Sequence, residues 1–344
     1  LKNYSHEWFF HEVFKNEGLL SLRSHLVDVT LNRKDLGIYY LEEHFDTILV
    51  EHNGYREGPI IKFNEDLLWA DRKRKYGAME PMSAFYSSAI DTFQPQRILA
   101  NSDLKAAFVK AYNLLDRFRT GELSVSQVFD LKKLVKYYAL AEMLGGHHMV
   151  YFHNLRFYYN PVTSHLEPIA FDASAGTPIS DLLFLRRYED NPYFDFDRRL
   201  FSDEEFVEHY FIELDHVSDP RYLAEQLIKV KKELEKNVNI LHKEFPQFQF
   251  SAQSYQYNQE VIRNAFNPVK GLHAYLRETA ADQVVLRVGN IQPLPLEITG
   301  ISYKDAVVYR PKKETRLEGK DPRQPVDYVD VPLEAVGNFH MGAN

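Results

Sequence analysis

Histidines are the residues in this sequence whose spacing first invites a chemical reading. His6-Glu7-Trp8-Phe9-Phe10-His11 looks like the His-Glu-x-x-His signature of zinc proteases with one residue too many. Positions five apart on a helix point about 140° from one another, so these two imidazoles cannot share an ion, and the motif is rejected as a metal site. A denser group, His147, His148 and His153, follows the helix-breaking pair Gly145-Gly146. An imidazole there suits a proton carrier near neutral pH, and equally a hydrogen-bonded structural residue. A His-centred metal hydrolase therefore stays open as a third reading. Other chemistries are excluded: the chain has no Cys, which removes thiolate zinc sites, cysteine nucleophiles and disulfides. Neither G-x-S-x-G, nor a Walker A loop, nor G-x-G-x-x-G occurs in it.

The elements that must hold these groups follow from hydrophobic periodicity. A helix is expected over 5–16, closed by Gly18, then a strand at 25–31, a polar turn Asn32-Arg33-Lys34-Asp35 and a second strand at 36–41. A third strand is expected at 59–63. The basic run Arg72-Lys73-Arg74-Lys75 reads as a solvated loop or helix face. Helices are expected at 103–119 and 125–144, the second opening with Ser124-x-x-Gln127, a capping-box spacing. Strands at 155–159 and 166–172 flank Asn160-Pro161. Further helices are expected after Ser202-x-x-Glu205 and over 220–243. Beyond Pro246 the pattern becomes short β segments (284–288, 294–299, 305–310, 326–331), so a boundary is set near 250.

Composition bounds the answer from outside. At 344 residues the chain is one large domain or two ordinary ones. Its 26% charged and 44% hydrophobic residues suit a globular protein, and 14% aromatics imply a core rich in rings. A net charge of −8 argues against a general nucleic-acid binder. No apolar run approaches the ~18 residues of a membrane span.

Two segments carry a resemblance. Asp28 to Asp46, with Asn32, Gly37, Tyr39 and Glu43 in place and Ile61-Lys62 following, resembles the CotH (spore coat protein H) kinase family, which shows a strand, then Gly-x-Tyr-x-x-x-Glu and an acidic helix start. Leu140 to Gly176 looks like that family's helix, catalytic loop with Asn, strand, Pro turn, strand and metal-binding Asp. The resemblance spans roughly residues 1–240. It implies an α+β, atypical protein-kinase-like domain (1–250) followed by a small β-rich module (251–344). It also implies use of ATP and Mg²⁺ or Mn²⁺ to phosphorylate Ser or Thr of a protein.

Carried over residue by residue, Asp172 and Asn154 become the metal ligands and, with His148, the catalytic group. Glu43, Lys62 and Phe171 fall on the nucleotide side, Phe171 standing where the family often has Trp. The sequence departs from the family pattern in two places. Trp-Asp-x-Asp is here Phe171-Asp172-Ala173-Ser174, and the Asp expected before the Asn is replaced by the His147–His153 stretch. The resemblance further implies a segment that starts after the family's first strands, in a bacterial envelope or secreted parent. Its partners would be a protein substrate or neighbouring domains of a longer chain. The alternative class is a non-catalytic surface or assembly module, with an impaired kinase between the two.

Overall fold

Strands β6 (Arg156–Asn160) and β7 (His165–Ala170) are buried along nearly their whole length, which explains why they read as continuous apolar runs rather than alternating ones. They lie inside a five-stranded sheet of order β1-β7-β6-β4-β5, completed by β1 (Leu20–Ser21), β4 (Ile60–Phe63) and β5 (Ile90–Thr92). β1 runs parallel to β7; the other neighbours are antiparallel. The hairpin β2 (Ser24–Leu31) and β3 (Lys34–Glu42) forms a separate pair, turned by Asn32 and Arg33 at φ 53° and 65°, the left-handed values of a two-residue hairpin loop. The computed structural model describes residues 2–66, 84–280 and 282–337, so the basic run Arg72–Lys75 lies outside the described residues.

The helix Leu131–Met143 crosses behind β7 and is buried from Leu134 to Met143 except at Lys136. The aromatic content is spent in the core. Phe196 sits among Phe85, Phe118 and Phe157 with ring centroids 5.7, 5.4 and 6.0 Å away, and Phe129 bridges Phe118 and Phe157 at 5.1 and 5.2 Å. Most of these pairs are edge-on or tilted, the arrangement that ring quadrupoles favour.

Several boundaries differ from the sequence reading, each for a local reason. The helix expected over 125–144 is two, Val125–Val128 and Leu131–Met143. Phe129 between them is extended, φ −111° and ψ 154°, and bridges to Leu166, while Asp130 caps the second helix through the Lys133 N–H. Gln127 does accept the Ser124 N–H at 2.9 Å. The helix Glu204–Ser218 is capped by Asp203, not Ser202; the Ser202 hydroxyl donates to the Arg199 carbonyl instead. The helix Gln253–Phe266 was not expected at all.

The chain divides into two units, Leu1–Ile262 and Arg263–Asn344, so the division falls inside that helix rather than at 250. Its Tyr255, Asn258 and Ile262 are buried and belong to the first unit, which is why the polar-looking stretch is retained there. The second unit is built on an antiparallel sheet of order β11-β12-β14-β9-β8: β8 (Leu272–Thr279), β9 (Gln283–Asn290), β11 (Ile301–Tyr303), β12 (Ala306–Pro311) and β14 (Val329–Ala335). A two-stranded pair, β10 (Leu296–Glu297) with β13 (Arg316–Leu317), adds Leu317 to a core of Val284, Val288, Val331 and Leu333. Among the described residues no helix is long and apolar enough to cross a membrane.

Glycines separate two kinds of constraint. Gly18, at φ +72°, has open space where a Cβ would go. Gly145, at φ +60°, ends the Leu131–Met143 segment, and a Cβ there would collide with the Thr177 carbonyl and meet Asn258 at 2.9 Å. Gly18→Ala is expected to cost about 1–2 kcal/mol, the left-handed penalty alone. Gly145→Ala adds overpacking and is expected to cost about 2–5 kcal/mol in all. Urea midpoints at constant m-value check this; equal losses at the two positions would contradict it.

Candidate functional site

The register of β6 and β7 builds the site. Phe157 pairs with Pro168 and Tyr158 with Glu167, so continuing the ladder outward places Asn154 opposite Phe171, next to Asp172. A one-turn 3-10 helix, His147–Val150, then folds back over this sheet end after Gly145-Gly146. The Asn154 N–H closes the turn onto the Tyr151 carbonyl at 2.7 Å. His148, Asn154 and Asp172 are thereby brought together from three different elements.

Their geometry is tight. Asn154 Nδ2 donates to the His148 carbonyl at 3.0 Å, lies 2.9 Å from His148 Nδ1 and reaches Asp172 Oδ2 at 3.4 Å. His148 Nδ1 is 2.9 Å from the Asp172 carbonyl and 3.3 Å from its carboxylate. The hydrogen bond to Asp172 holds the His148 imidazole above its ordinary value, and the same contact, helped by Asn154, holds the Asp172 carboxyl below its own. The polar contacts of the His148 ring run through Nδ1. Asp172 stays 45% exposed at its side chain, open to a ligand.

These residues open onto a cavity of about 410 Å³. Its far wall is aromatic: Tyr151, His153, Tyr193 and Phe194, with Tyr151 and His153 stacked at 5.7 Å. Of these rings only His153 was a candidate in the sequence; Tyr151, Tyr193 and Phe194 were not singled out. Two of them are held by Arg186, whose guanidinium lies 4.4 Å from the Phe194 centroid and 5.1 Å from that of Tyr151. Arg186 is in turn held at 3.0 Å by the buried Asp197, which also accepts from the Tyr138 hydroxyl. His147 points the other way, to the fully buried Glu142 at 3.0 Å, where the Tyr210 hydroxyl also donates.

Of the three nucleotide-side candidates, Lys62 and Phe171 meet around Arg156 and Phe93, whereas Glu43 is paired elsewhere. Lys62 pairs with Glu65 at 3.5 Å, and Glu65 accepts from Arg156 at 3.0 Å. Phe171 packs on Phe45 at 5.0 Å and under the Arg156 guanidinium at 5.2 Å. Glu43, at the foot of the β2–β3 hairpin, accepts the Arg23 backbone N–H at 3.1 Å and binds its guanidinium. Arg156 was missed from sequence. It also donates to the His153 and Leu155 carbonyls at 2.7 and 3.1 Å, gripping the peptides on both sides of Asn154.

Glu7 was missed too, although it sits in the rejected zinc-like motif. Its Oε1 accepts the Ala175 N–H at 3.3 Å, its other oxygen is buried with no donor in range, and burial pushes its carboxyl up. The usable signal was an acid beside three consecutive rings, Trp8-Phe9-Phe10, that must be buried with it. The loop it holds is strained: Asp172 and Ser174 take φ 48° and 52°, and Gly176 takes φ 84°.

The paired shifts set a pH window. A raised His148 contributes stability below its unfolded value, about 6.5, and loses it as pH rises through the folded one. A lowered Asp172 contributes above its unfolded value, about 3.9, and loses it as pH falls through the folded one. The pair is therefore fully engaged between roughly pH 4 and 6.5. In Asp172→Asn the His148 ring is expected to titrate at a lower pH than in wild type, followed by its ring-proton NMR shift. An unchanged midpoint would show that the carboxylate does not act on it.

Among the described residues no group of three His, Asp or Glu side chains is placed to hold a metal ion, so the His-centred hydrolase has no standing transition-metal cage behind it. No curated protein matches the chain. The family model described as CotH kinase protein matches residues 3–267, which takes in every residue of the site and its supports. With that match over most of its length, the chain belongs to the CotH kinase family.

Proposed function

We propose that this protein transfers the γ-phosphoryl group of ATP to a Ser or Thr hydroxyl of a protein, in the presence of Mg²⁺ or Mn²⁺. We read Leu1–Ile262 as an atypical kinase-like domain and the β-rich unit after it as an attached module. The observation that carries the reading is the His148–Asn154–Asp172 cluster at the mouth of a ring-lined cavity, inside the family-matched region.

The donor set suits one kind of metal. Asp172 is ionised, partly exposed and joined by one amide, which is too little for a permanent metal centre. It is enough for Mg²⁺, which keeps most of its waters and is carried largely by phosphate oxygens. When bound, the ion would offset phosphate charge. Asp172 and Asn154 would hold it, and the rings of Tyr151, Tyr193 and Phe194 offer faces for a planar group. His148, neutral in the reactive state, takes the acceptor's hydroxyl proton at Nε2. The acceptor oxygen forms its bond to the γ-phosphorus, and the bond from that phosphorus to the bridging oxygen breaks, leaving with ADP. Lys62 and Arg156 supply positive charge on the neighbouring side. A His pKa raised toward the working pH favours such a proton carrier.

A second reading rests on one observation: Ser174 stands where a second carboxylate is expected, so the site has a single exposed acid. A nucleotide-binding relic or a non-catalytic assembly module of a bacterial envelope or secreted protein would tolerate that loss. Mg²⁺-ATP discriminates. At about 100 times its dissociation constant a ligand adds about 2.7 kcal/mol, expected here as a rise of about 4–5 °C in Tm. Asp172→Ala should abolish that rise. No rise at saturating ATP in wild type would sink the kinase reading and leave the assembly module.

A further inference from the structure

The turn that carries Asp172 does not hold itself. Asp172 and Ser174 take left-handed backbone, which a residue with a Cβ adopts only where its surroundings impose it. Ala175, between Ser174 and the left-handed Gly176, is buried, so its N–H must find an acceptor inside the protein. That acceptor is Glu7 Oε1, at 3.3 Å. The next N–H, that of Gly176, goes to the Leu144 carbonyl at 2.9 Å.

Glu7 is itself placed by reference to the strand that Asp172 leaves. It lies on the helix Lys2–Asn16, one turn from His11 and on the same face. His11 is buried, with Nδ1 2.9 Å from the Ser21 hydroxyl and Nε2 3.1 Å from Glu42 Oε1. Ser21 in turn pairs with Ala170, two residues before Asp172, in the parallel contact of β1 with β7. The helix is therefore pinned beside the start of the turn through His11 and reaches the turn itself with Glu7. His6 bounds the far side: a Cβ at Gly176 would come within 2.7 Å of its ring, and its Nδ1 lies 2.6 Å from the Tyr255 hydroxyl.

We infer that Glu7 is a positioning residue for metal binding at Asp172: by accepting the Ala175 N–H it keeps the turn in the setting that leaves the Asp172 carboxylate beside Asn154 and open to an ion. The inference rests on the proposed Asp172–Asn154 metal site, but the setting of the turn is measured apart from it. Glu7 acts through the backbone of the ligand's own turn, not on the ion. What the geometry requires at this point is an acceptor oxygen. Glutamine supplies one, and an apolar side chain of similar size leaves a buried N–H unpaired.

The test uses the full chain with Mn²⁺ as the probe, its dissociation constant read from water-proton relaxation, and hydrogen exchange of the Ala175 amide read without metal. In Glu7→Leu, Mn²⁺ is expected to bind about 10–100-fold more weakly and the Ala175 amide to exchange about tenfold faster. Glu7→Ala is measured alongside, so that a misfit of leucine alone does not decide the outcome. Glu7→Gln should stay within about threefold of wild type in both readings. Lys136→Met removes the partner that Glu17 holds at 2.8 Å just past the other end of the same helix. It should lower the unfolding midpoint and leave both readings unaltered. A faster Ala175 amide in Glu7→Leu, in a protein whose wild type binds no Mn²⁺, would uphold the hold on the turn and overturn the metal site with the kinase reading. Mn²⁺ affinity unchanged in Glu7→Leu, or lost as fully in Glu7→Gln, would overturn the inference. So would an equal loss in Lys136→Met, by showing that the stability of the helix alone matters.

Discussion

Because side chains on a strand alternate with period two, the pairing of Phe157 with Pro168 decides more than which residues touch in the sheet. It sets which residues leave the sheet together at its end. With this register Asn154 emerges beside Asp172, and the short helix His147–Val150 can lay His148 across both. A slip by one residue would turn Asn154 to the opposite face and separate the cluster. With both faces buried, the register is held by particular partners: Glu167 accepts from Lys133 at 2.6 Å and from Asn160 across the strand pair at 2.7 Å, contacts that a slip would break.

Around this frame the buried charges are arranged as supports rather than as reagents. Arg156 grips the peptides on either side of Asn154 while paired to Glu65; Arg186 holds two cavity rings while paired to Asp197; Glu142 gathers His147 and Tyr210. Arg186 and Asp197 offset one another's loss of water, Arg156 has Glu65 but keeps a buried Nε without a partner, and Arg156 and Arg186 each touch a residue that lines the site. The exposed members, His148 and Asp172, are the ones whose protonation can still respond to solvent.

The parts legible in the sequence were those written in local chemistry. The hairpin showed in Asn32-Arg33 between alternating runs and the helix at 220 in its leucine spacing, and the order of strand, turn and strand pointed to His148, Asn154 and Asp172, which lie close together. Less visible were the parts decided by distant partners. Gln253–Phe266 is polar to the eye, yet it is a helix of the first unit because Tyr255 and Ile262 are enclosed there and Asn258 binds the Met143 and Thr177 carbonyls. Glu7 was dismissed with a metal motif, and its role depends on a residue 168 positions away. Arg156 was passed over, because nothing local announces that the His153 and Leu155 carbonyls turn toward it.

The lock on the Asp172 loop comes from the two ends of the first unit: Glu7 and His6 near the beginning, Tyr255 and Asn258 near its close. During synthesis the loop itself leaves the ribosome long before Tyr255 does. A nascent chain that has completed β7 therefore holds His148, Asn154 and Asp172 but lacks the clasp that sets their loop in its left-handed turns. The loop cannot take its clasped form until Tyr255 and Asn258 have emerged. Assembly of the site is in this way a late event, coupled to completion of the unit that houses it.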